Sequence, residues 1–345
     1  MKRIRYFDLL RSISFIFIIF YHMMVQLYLS GICSYDKVSP FFSNDNMHIA
    51  TLGVAVFFML SGASLAYTTK DNFNIGDFYK KRFSKILIPF YITVFLYFLV
   101  IVITNRSIHG IFPAGPPKWR VIFTVLGIDT WLSMYGISTF SLGIGEWFLG
   151  CIIIMYLLFP LLRFLMMKSR KLFFIGTTCI YLIIIYNYHS DVAMHLNILV
   201  KGYEFILGML IGYSFKEFDK KWACITIPLV VFFFTSSTGI NINYALKITI
   251  LAVAFWVSVS YLEPYLAKRK LKILNVISSY SYEVFLVHHI IIYTLTPKAK
   301  PYLHGPWSIV ILFIMQLICM AVAAVILKFI SNKCISLVSR KHCKK

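Results

Sequence analysis

Ten long apolar blocks run through this chain and decide what kind of protein it is. A transmembrane helix needs about 20 consecutive, mostly apolar residues, and blocks close to that length recur along the sequence. The sequence therefore predicts an all-α, polytopic membrane protein with about ten transmembrane helices. The predicted spans are 9–29, 49–69, 86–104, 147–167, 172–188, 196–215, 222–237, 244–263, 273–296 and 307–330.

The composition excludes the soluble alternatives. Of the 345 residues, 59% are hydrophobic and 14% are charged, whereas soluble domains average roughly 45–50% and 25%. A net charge of +21 would suit a nucleic-acid binder, but the basic residues lie in short clusters between apolar blocks. We therefore expect a multi-pass membrane protein, in contact with lipids and without a nucleic-acid partner.

The basic residues also give the predicted orientation, because cytoplasmic loops carry an excess of Lys and Arg. With ten spans and the N-terminus inside, 25 of the 34 basic residues fall in inside segments, eight fall outside, and Arg11 lies within the first span. One span more or fewer would place several of the later basic clusters outside, and the excess of basic residues in the inside segments would be lost. Both termini are therefore predicted to be cytoplasmic, with one membrane domain over 1–330 and a basic tail over 331–345.

The longest predicted loop, 105–146, lies outside in this arrangement. Its half-apolar segment 119–135 suits an interfacial or re-entrant position better than a span. Two interpretations stay open, namely a lid over an outward-facing site and an ordinary surface helix.

Ionisable residues in the first span are the strongest functional signal, because such groups are costly within a membrane. Asp8 is three residues before Arg11, close enough to pair with it. His22 follows Arg11 by eleven residues, which is almost three helical turns on the same face and about 16 Å along the axis. A solvated helix end would also explain Asp8 and Arg11. His22 fits a buried structural histidine as well as a functional one.

The cysteines predict neither a disulfide framework nor a metal site. All seven are scattered, with no CxxC pair and no paired histidine spacing, the patterns that mark such sites. Cys151, Cys179, Cys224 and Cys319 lie within apolar blocks, where a thiol behaves as a small hydrophobe. No permanently bound cofactor is predicted.

Five stretches resemble, in order, motifs of the membrane-bound acyltransferase-3 family. The first is Tyr6-Phe-Asp-Leu-Leu-Arg11, followed by His22 after ten intervening residues. The other four fit the second, third, fourth and ninth spans of the family's ten-span layout. They are 53–62 (GVAVFFMLSG), 78–91 (FYKKRFSKILIPFY), 147–160 (beginning WFL) and 279–288 (SYSYEVFLVH).

The resemblance implies an O-acyltransferase of the bacterial cytoplasmic membrane. Members of this family move acyl groups onto cell-surface carbohydrates, so the implied donor is a cytoplasmic acyl-coenzyme A, in the first instance acetyl-CoA, as co-substrate. The implied acceptor is a hydroxyl of a polysaccharide or of its lipid-linked precursor. An imidazole titrates near working pH, so His22 is expected to act as general base or to carry the acyl group transiently. Arg11 is expected at the donor end.

Arg82 and Lys85 are expected to attract the phosphates of the donor, although ordinary positive-inside anchoring explains them as well. Lys85 stands where the family carries a second arginine. The compact charge of an ammonium therefore replaces a guanidinium, which could form two parallel hydrogen bonds to a phosphate. Ile152 and Ile153 stand where many relatives carry two carboxylates. The remaining residues expected to line the cleft are Asp8, Ser61, Glu146, Glu283 and His288.

Several of these residues also have structural explanations. Ser61 and its neighbour Gly62 suit a close helix–helix approach. Glu283 and His288 are five residues apart, about 140° around a helix, and so need not touch each other. Glu204 fits a buried pair with Lys201 as well as a functional group.

A membrane transporter or exporter of saccharide or acylated material is the main alternative, since intramembrane charges also mark permeation paths. A non-catalytic component of a larger assembly is the third. Transporters often contain two-fold internal repeats, and the sequence shows none, which favours the enzyme. Only a short tail follows the last span, so the acceptor is expected to meet the membrane domain itself or another protein.

Overall fold

A computed structural model of the protein describes residues 3–42, 49–105, 116–139, 144, 146–189, 193–213, 220–235, 242–268 and 271–342. These residues form helices and no strand, which confirms the all-α prediction. The helices are α1 (Arg5–Leu29), α2 (Tyr35–Phe42), α3 (Ile49–Thr68), α4 (Ile75–Asn105), α5 (Val121–Leu126), α6 (Asp129–Ser133), α7 (Glu146–Lys168), α8 (Arg170–Tyr186), α9 (Ile198–Tyr213), α10 (Lys220–Thr235), α11 (Tyr244–Ser260), α12 (Glu263–Leu266), α13 (Lys272–Ala299) and α14 (Pro306–His342).

Each predicted apolar block coincides with one long helix, and the matching helices in order are α1, α3, α4, α7, α8, α9, α10, α11, α13 and α14. Five of them, α1, α3, α4, α7 and α14, are long and apolar enough to cross a membrane. The helices α8 to α11 have only 16 or 17 residues. The structure therefore supports a membrane protein with five candidate spans, whereas the count of ten spans and the cytoplasmic termini remain predictions.

The chain forms two compact units. The first contains residues 1–73 and 158–281, and the second contains residues 74–157 and 282–345. Because the boundaries fall within α7 and α13, each of these two helices contributes residues to both units. The helix α14 continues through His342, so most of the predicted tail is helical, and 343–345 lie outside the described residues.

The first unit is built on the contact between α3 and α9, the most extensive helix pair in the described residues. Three glycines make this contact possible. A Cβ at Gly62 would collide with the carbonyl of Phe205, one at Gly208 with that of Met59, and one at Gly212 with that of Ala63. Small residues let helix backbones approach this closely, so these positions fix the spacing of the two helices.

The helix α1 packs against α3 and α11 in the same unit. Leu10 is fully buried there, together with Val56 and Met59 of α3 and Ile248 of α11. Trp256 anchors the start of α1, since its ring meets that of Phe7 edge-on at 5.3 Å. This packing holds the first turns of α1 in one place, which matters for the ionisable residues that they carry.

A carboxylate from another element caps the start of α1. The N-cap residue, Ile4, provides no side-chain hydrogen bond to the helix. Instead, the amides of Arg5 and Tyr6 donate to the two carboxylate oxygens of Glu263 at 3.2 and 2.7 Å. Amides in the first turn of a helix have no partner within the helix, and a negative charge there is favourable. Glu263 therefore ties α1 to the start of α12.

The second unit contains α4 packed against α14 and the later part of α13. The hydroxyl of Tyr282 donates to the carbonyl of Ile86 at 2.7 Å. The amide of Gln316 donates to the hydroxyl of Thr296 at 2.8 Å, and both side chains are buried. These bonds satisfy polar groups within an apolar surrounding, where an unpaired group would be costly.

The predicted segment 119–135 forms the two short helices α5 and α6 in the second unit. Gly127 ends α5 with a φ of +70°, a conformation that favours glycine. The carbonyl of Val125 accepts a hydrogen bond from the hydroxyl of Tyr91 at 2.7 Å, which connects the segment to α4. The lid interpretation remains a prediction, and residues 106–115 of the loop lie outside the described residues.

Candidate active site

The predicted pair of Asp8 and Arg11 is present at the start of α1, and Asp8 is its centre. Asp8 is only 5% exposed. One carboxylate oxygen accepts from Nε of Arg3 at 2.7 Å, and the other accepts from the hydroxyl of Ser278 at 2.7 Å. Asp8 is therefore a buried carboxylate with two hydrogen-bond partners, so the alternative of a solvated helix end does not apply to it.

Arg11 joins this group mainly through Ser278. Its Nη1 donates to Oγ of Ser278 at 2.8 Å, whereas the same atom is 3.5 Å from Oδ1 of Asp8. Charge-assisted N–H···O bonds are normally about 2.7–2.9 Å long. The ion pair that the spacing predicted is therefore confirmed, and a serine from α13 supplements it. The Arg11 side chain keeps 28% of its surface exposed.

Three guanidinium groups and two carboxylates meet in this part of the first unit. The guanidinium of Arg5 donates to Oδ1 of Asn275 at 2.7 Å, one turn before Ser278 on α13. The hydrogen bond and the charge of Asp8 raise the pKa of Arg3, so this group stays charged. With Asp8 and Glu263 as the acids, the arginines leave a net positive charge. We call Arg3, Arg5, Asp8, Arg11, Glu263, Asn275 and Ser278 the α1 cationic cluster.

Five members of this cluster, Arg3, Arg5, Glu263, Asn275 and Ser278, were not predicted as site residues from the sequence, and the contacts of Ser278 and Glu263 show why. Ser278 lies one residue before the motif 279–288, and Glu263 begins a helix of four residues. Their partners are separated from them by 267 and 257 residues. No local spacing signals contacts at that separation. The one available hint was the position of Ser278 beside a recognised motif.

His22 lies on the same helix, far from Arg11. The helix α1 runs without interruption from Arg5 to Leu29 and contains neither Pro nor Gly. Eleven residues of such a helix separate the two side chains by about 16 Å, so Arg11 does not orient His22 directly. His22 is partly buried. If both act in one reaction, they act at different places along α1.

The expected donor-binding residues, Arg82 and Lys85, lie on α4 in the second unit. Arg82 is partly buried, and Lys85 is exposed. Neither side chain forms an ion pair or hydrogen bond with any other described residue. Lys80 and Lys81 beside them are exposed as well. The four cations therefore form a basic stretch without a paired carboxylate in the described part of the unit.

Glu283 and His288 of α13 each have a partner of their own within the second unit. Glu283 is 3.8 Å from Nζ of Lys328. Nδ1 of the buried His288 is 2.6 Å from the carbonyl oxygen of Phe285. Because a carbonyl oxygen only accepts, this bond places a proton on Nδ1. Their predicted role as cleft-lining residues stays a prediction.

Two other expected cleft residues give less information. Ser61 is partly buried on α3, next to Gly62, whose role in helix packing is now clear. Glu146 is the first residue of α7, and its side chain lies outside the described residues.

Lys201 and Glu204 form a sealed ion pair on α9. Nζ of Lys201 donates to both carboxylate oxygens of Glu204, at 2.9 and 3.0 Å. The two side chains are 1% and 0% exposed. The structural explanation of Glu204 as a buried partner of Lys201 is thus confirmed.

A known family matches almost the entire chain. The profile of an acyltransferase domain, termed acyltransferase-3, matches residues 4–331. The chain belongs to this family. An acyltransferase-3 protein is an enzyme that transfers acyl groups, and the helical fold with five candidate membrane spans agrees with a membrane-bound member.

A second comparison supports the same activity. Acyltransferase MdmB from Streptomyces mycarofaciens is 34% identical over 122 residues. This region is 33% of the present chain and 30% of the relative, so the match spans under a third of that relative's length. No solved structure matches the chain. Neither the family nor the relative points to a transporter.

Proposed function

We propose that this acyltransferase-3 protein is a membrane-embedded O-acyltransferase that moves an acetyl group from acetyl-CoA to a hydroxyl of a cell-surface polysaccharide or its lipid-linked precursor. The α1 cationic cluster is the observation that carries the proposal. Its net positive charge suits an anionic donor, and three of its members, Arg5, Asp8 and Arg11, lie on the same helix as His22. Family membership supports the acyl transfer itself.

His22 supplies the acid–base chemistry in this proposal. The hydroxyl oxygen of the acceptor attacks the carbonyl carbon of the acetyl group, and its proton passes to the imidazole of His22. The carbon–sulfur bond then breaks, and coenzyme A leaves as a thiolate that takes up a proton. In the second version, His22 itself attacks the thioester and carries the acetyl group until the acceptor arrives.

Arg11 acts at the donor end, about 16 Å from His22 along α1. There a guanidinium steers the charged part of the donor or stabilises the charge that develops on the thioester. Arg82 and Lys85 attract the phosphates of coenzyme A. With the N-terminus of α1 in the cytoplasm, the donor enters from inside, and the acceptor approaches from the outer leaflet.

The test uses the full chain in sealed vesicles of known orientation, with labelled acetyl-CoA and surface glycan as acceptor. We expect acetylated glycan only when acetyl-CoA is supplied on the side of the N-terminus. Replacement His22→Ala should abolish transfer, while His304→Ala, at an exposed histidine, is the control that should keep it. Mass analysis of the glycan identifies the acetylated sugar.

Two results would overturn the proposal. One is transfer that proceeds at the normal rate in the folded His22→Ala protein. The other is equal use of acetyl-CoA from both sides of the vesicle, which contradicts the through-membrane route. Incubation with the donor alone distinguishes the two roles of His22, since only the acyl-carrier mechanism leaves an acetylated histidine.

A further inference from the structure

Ser278 connects the two charged groups at the start of α1 in a defined direction. Its hydroxyl has a single proton, and Oδ1 of Asp8 accepts it at 2.7 Å. The oxygen of the same hydroxyl accepts a proton from Nη1 of Arg11 at 2.8 Å. The chain of donors therefore runs from Arg11 through Ser278 to Asp8. A carboxylate only accepts and a guanidinium only donates, so no other direction is available.

The serine is needed because Asp8 alone does not hold Arg11 closely. The short direct bond to the carboxylate belongs to Nε of Arg3, at 2.7 Å. Nη1 of Arg11 stays 3.5 Å from Oδ1, beyond the usual range of an N–H···O hydrogen bond. The hydrogen bond from Arg11 to the Ser278 hydroxyl, at 2.8 Å, is therefore shorter than the direct approach of Arg11 to Asp8.

The link also joins two helices. Arg11 belongs to α1, whereas Ser278 belongs to the first turns of α13 and is itself 5% exposed. A free arginine side chain loses up to about 2 kcal/mol of rotamer entropy when it is fixed in one orientation. A bond to a buried serine on a second helix fixes that orientation in advance, before any donor arrives.

We propose that Ser278 is a positioning residue that orients the Arg11 guanidinium toward the negative charge of the acyl donor. This inference rests on the proposed function, because it assigns to Arg11 a role at the donor end. Ser278 itself acts through Arg11 and need not touch the donor. A correctly oriented charge matters most for charge that develops during transfer, so the main effect falls on kcat.

The chain offers a matched control at Ser281. This residue lies one turn further along α13 and is as buried as Ser278, 7% against 5% exposed. Its hydroxyl donates to the backbone carbonyl of Ser278 at 3.0 Å. Loss of that hydroxyl removes a bond within one helix and leaves the contact between Ser278 and Arg11 in place.

The experiment compares Ser278→Ala, Ser278→Cys, Ser278→Thr and Ser281→Ala in vesicles, with acetyl-CoA as the varied substrate. Removing a hydrogen bond to a charged group typically changes an equilibrium or rate by roughly tenfold or more. We expect Ser278→Ala and the nearly isosteric Ser278→Cys to lower kcat about tenfold, with a smaller change in KM. Ser278→Thr keeps the hydroxyl and should restore most of kcat, and Ser281→Ala should behave like the native protein.

A double-mutant cycle with Arg11→Lys separates positioning from simple stability. If Ser278 acts through Arg11, Ser278→Ala should cause little further loss in the Arg11→Lys protein. Independent losses that multiply would overturn the inference, as would native kcat in both Ser278→Ala and Ser278→Cys. In either case a strong defect in His22→Ala still supports the proposed function. Failure of the native protein to use acetyl-CoA overturns the proposed function instead.

Discussion

Two ion pairs in the first unit have the same spacing in the sequence but differ in the distance between their charged groups and in their exposure. Asp8 and Arg11 on α1, like Lys201 and Glu204 on α9, are three residues apart. In the α9 pair, the two groups contact each other directly at 2.9 Å, and both are sealed from the surroundings. In the α1 pair, the closest approach is 3.5 Å, and Arg11 is 28% exposed.

The difference lies in what surrounds each pair. The α9 pair is balanced, with one positive and one negative group that satisfy each other. Around Asp8, two further arginines and a second carboxylate leave a positive excess, and a serine supplements the acid in holding Arg11. A balanced, sealed pair stabilises or fixes a fold, whereas an exposed excess of charge is available to a ligand. Spacing alone does not distinguish the two.

The largest expected effect comes from breaking the sealed pair. Replacement Glu204→Leu leaves the ammonium of Lys201 buried without its carboxylate, which costs about 3–5 kcal/mol of unfolding free energy. The double replacement Lys201→Met with Glu204→Leu should regain most of that stability, because no buried charge remains. Thermal unfolding in detergent measures both. If Glu204→Leu were as stable as the native protein while its acyl transfer failed, Glu204 would be a functional group and the comparison would break down.

Arg11→Ala should lower the rate of acyl transfer strongly and the stability only slightly, in contrast to Glu204→Leu. Loss of a group that stabilises developing charge lowers kcat by about 10²–10³, while thermal unfolding changes little because the side chain is partly exposed. Lys168→Ala serves as the control, since that side chain is exposed at the end of α7 and lies outside the α1 cationic cluster. Initial rates with labelled acetyl-CoA give the comparison. Equal rates for the two variants would remove the special role of Arg11.

A glycine replacement sharpens the view of α9 as a structural helix. Gly208→Ala puts a methyl group against the carbonyl of Met59, and overpacking of this kind costs about 1–3 kcal/mol. Gly176→Ala on α8 is the matched control, because a Cβ there meets nothing within 4 Å. Alanine is the better helix former by about 0.8–1.0 kcal/mol, so the control should be slightly more stable. If unfolding curves showed Gly208→Ala to be more stable than Gly176→Ala, that result would contradict the close contact of α3 and α9.

The smallest expected effect concerns the basic stretch of α4. Exposed charges of this kind contribute up to about 1 kcal/mol, so Arg82→Ala and Lys85→Ala should each raise KM for acetyl-CoA by up to about fivefold. Added salt should shrink the difference from the native protein, since screening weakens exposed charges. The neighbouring Lys81→Ala is the control. An unchanged KM at low salt would leave Arg82 and Lys85 with the positive-inside explanation.

The sequence predicted the helices well because the signal for a helix is local. Every apolar block of the sequence became one helix, from α1 to α14, and the spacing of Asp8 and Arg11 correctly predicted an ion pair. The number of membrane spans was harder, because α8 to α11 are short and their polar residues, such as Lys201, interrupt the apolar blocks. Hydropathy does not tell whether such a residue faces lipid or an ion-pair partner within the fold.

The site was only half predictable. The position of His22 and Arg11 on one helix face follows from their spacing, and their roles stay predictions, whereas the contacts of Ser278 and Glu263 could not be predicted from spacing. The pattern Gly208-Met-Leu-Ile-Gly212 is a small-residue repeat of the kind that lets helices approach closely, so the sequence does contain a local signal for the contact of α9 with α3.

The sequence by itself determined the class of the protein, the helix positions and the ionisable residues along α1, because each of these follows from residues within a few turns of one another. Only the tertiary structure decided which of two equally spaced ion pairs is sealed, which serine holds Arg11, and where helix backbones touch. Those outcomes depend on residues that are distant in the sequence, such as Arg11 and Ser278, which are 267 residues apart, and Met59 and Gly208 at the contact of α3 with α9. The packing of the entire unit brings them together.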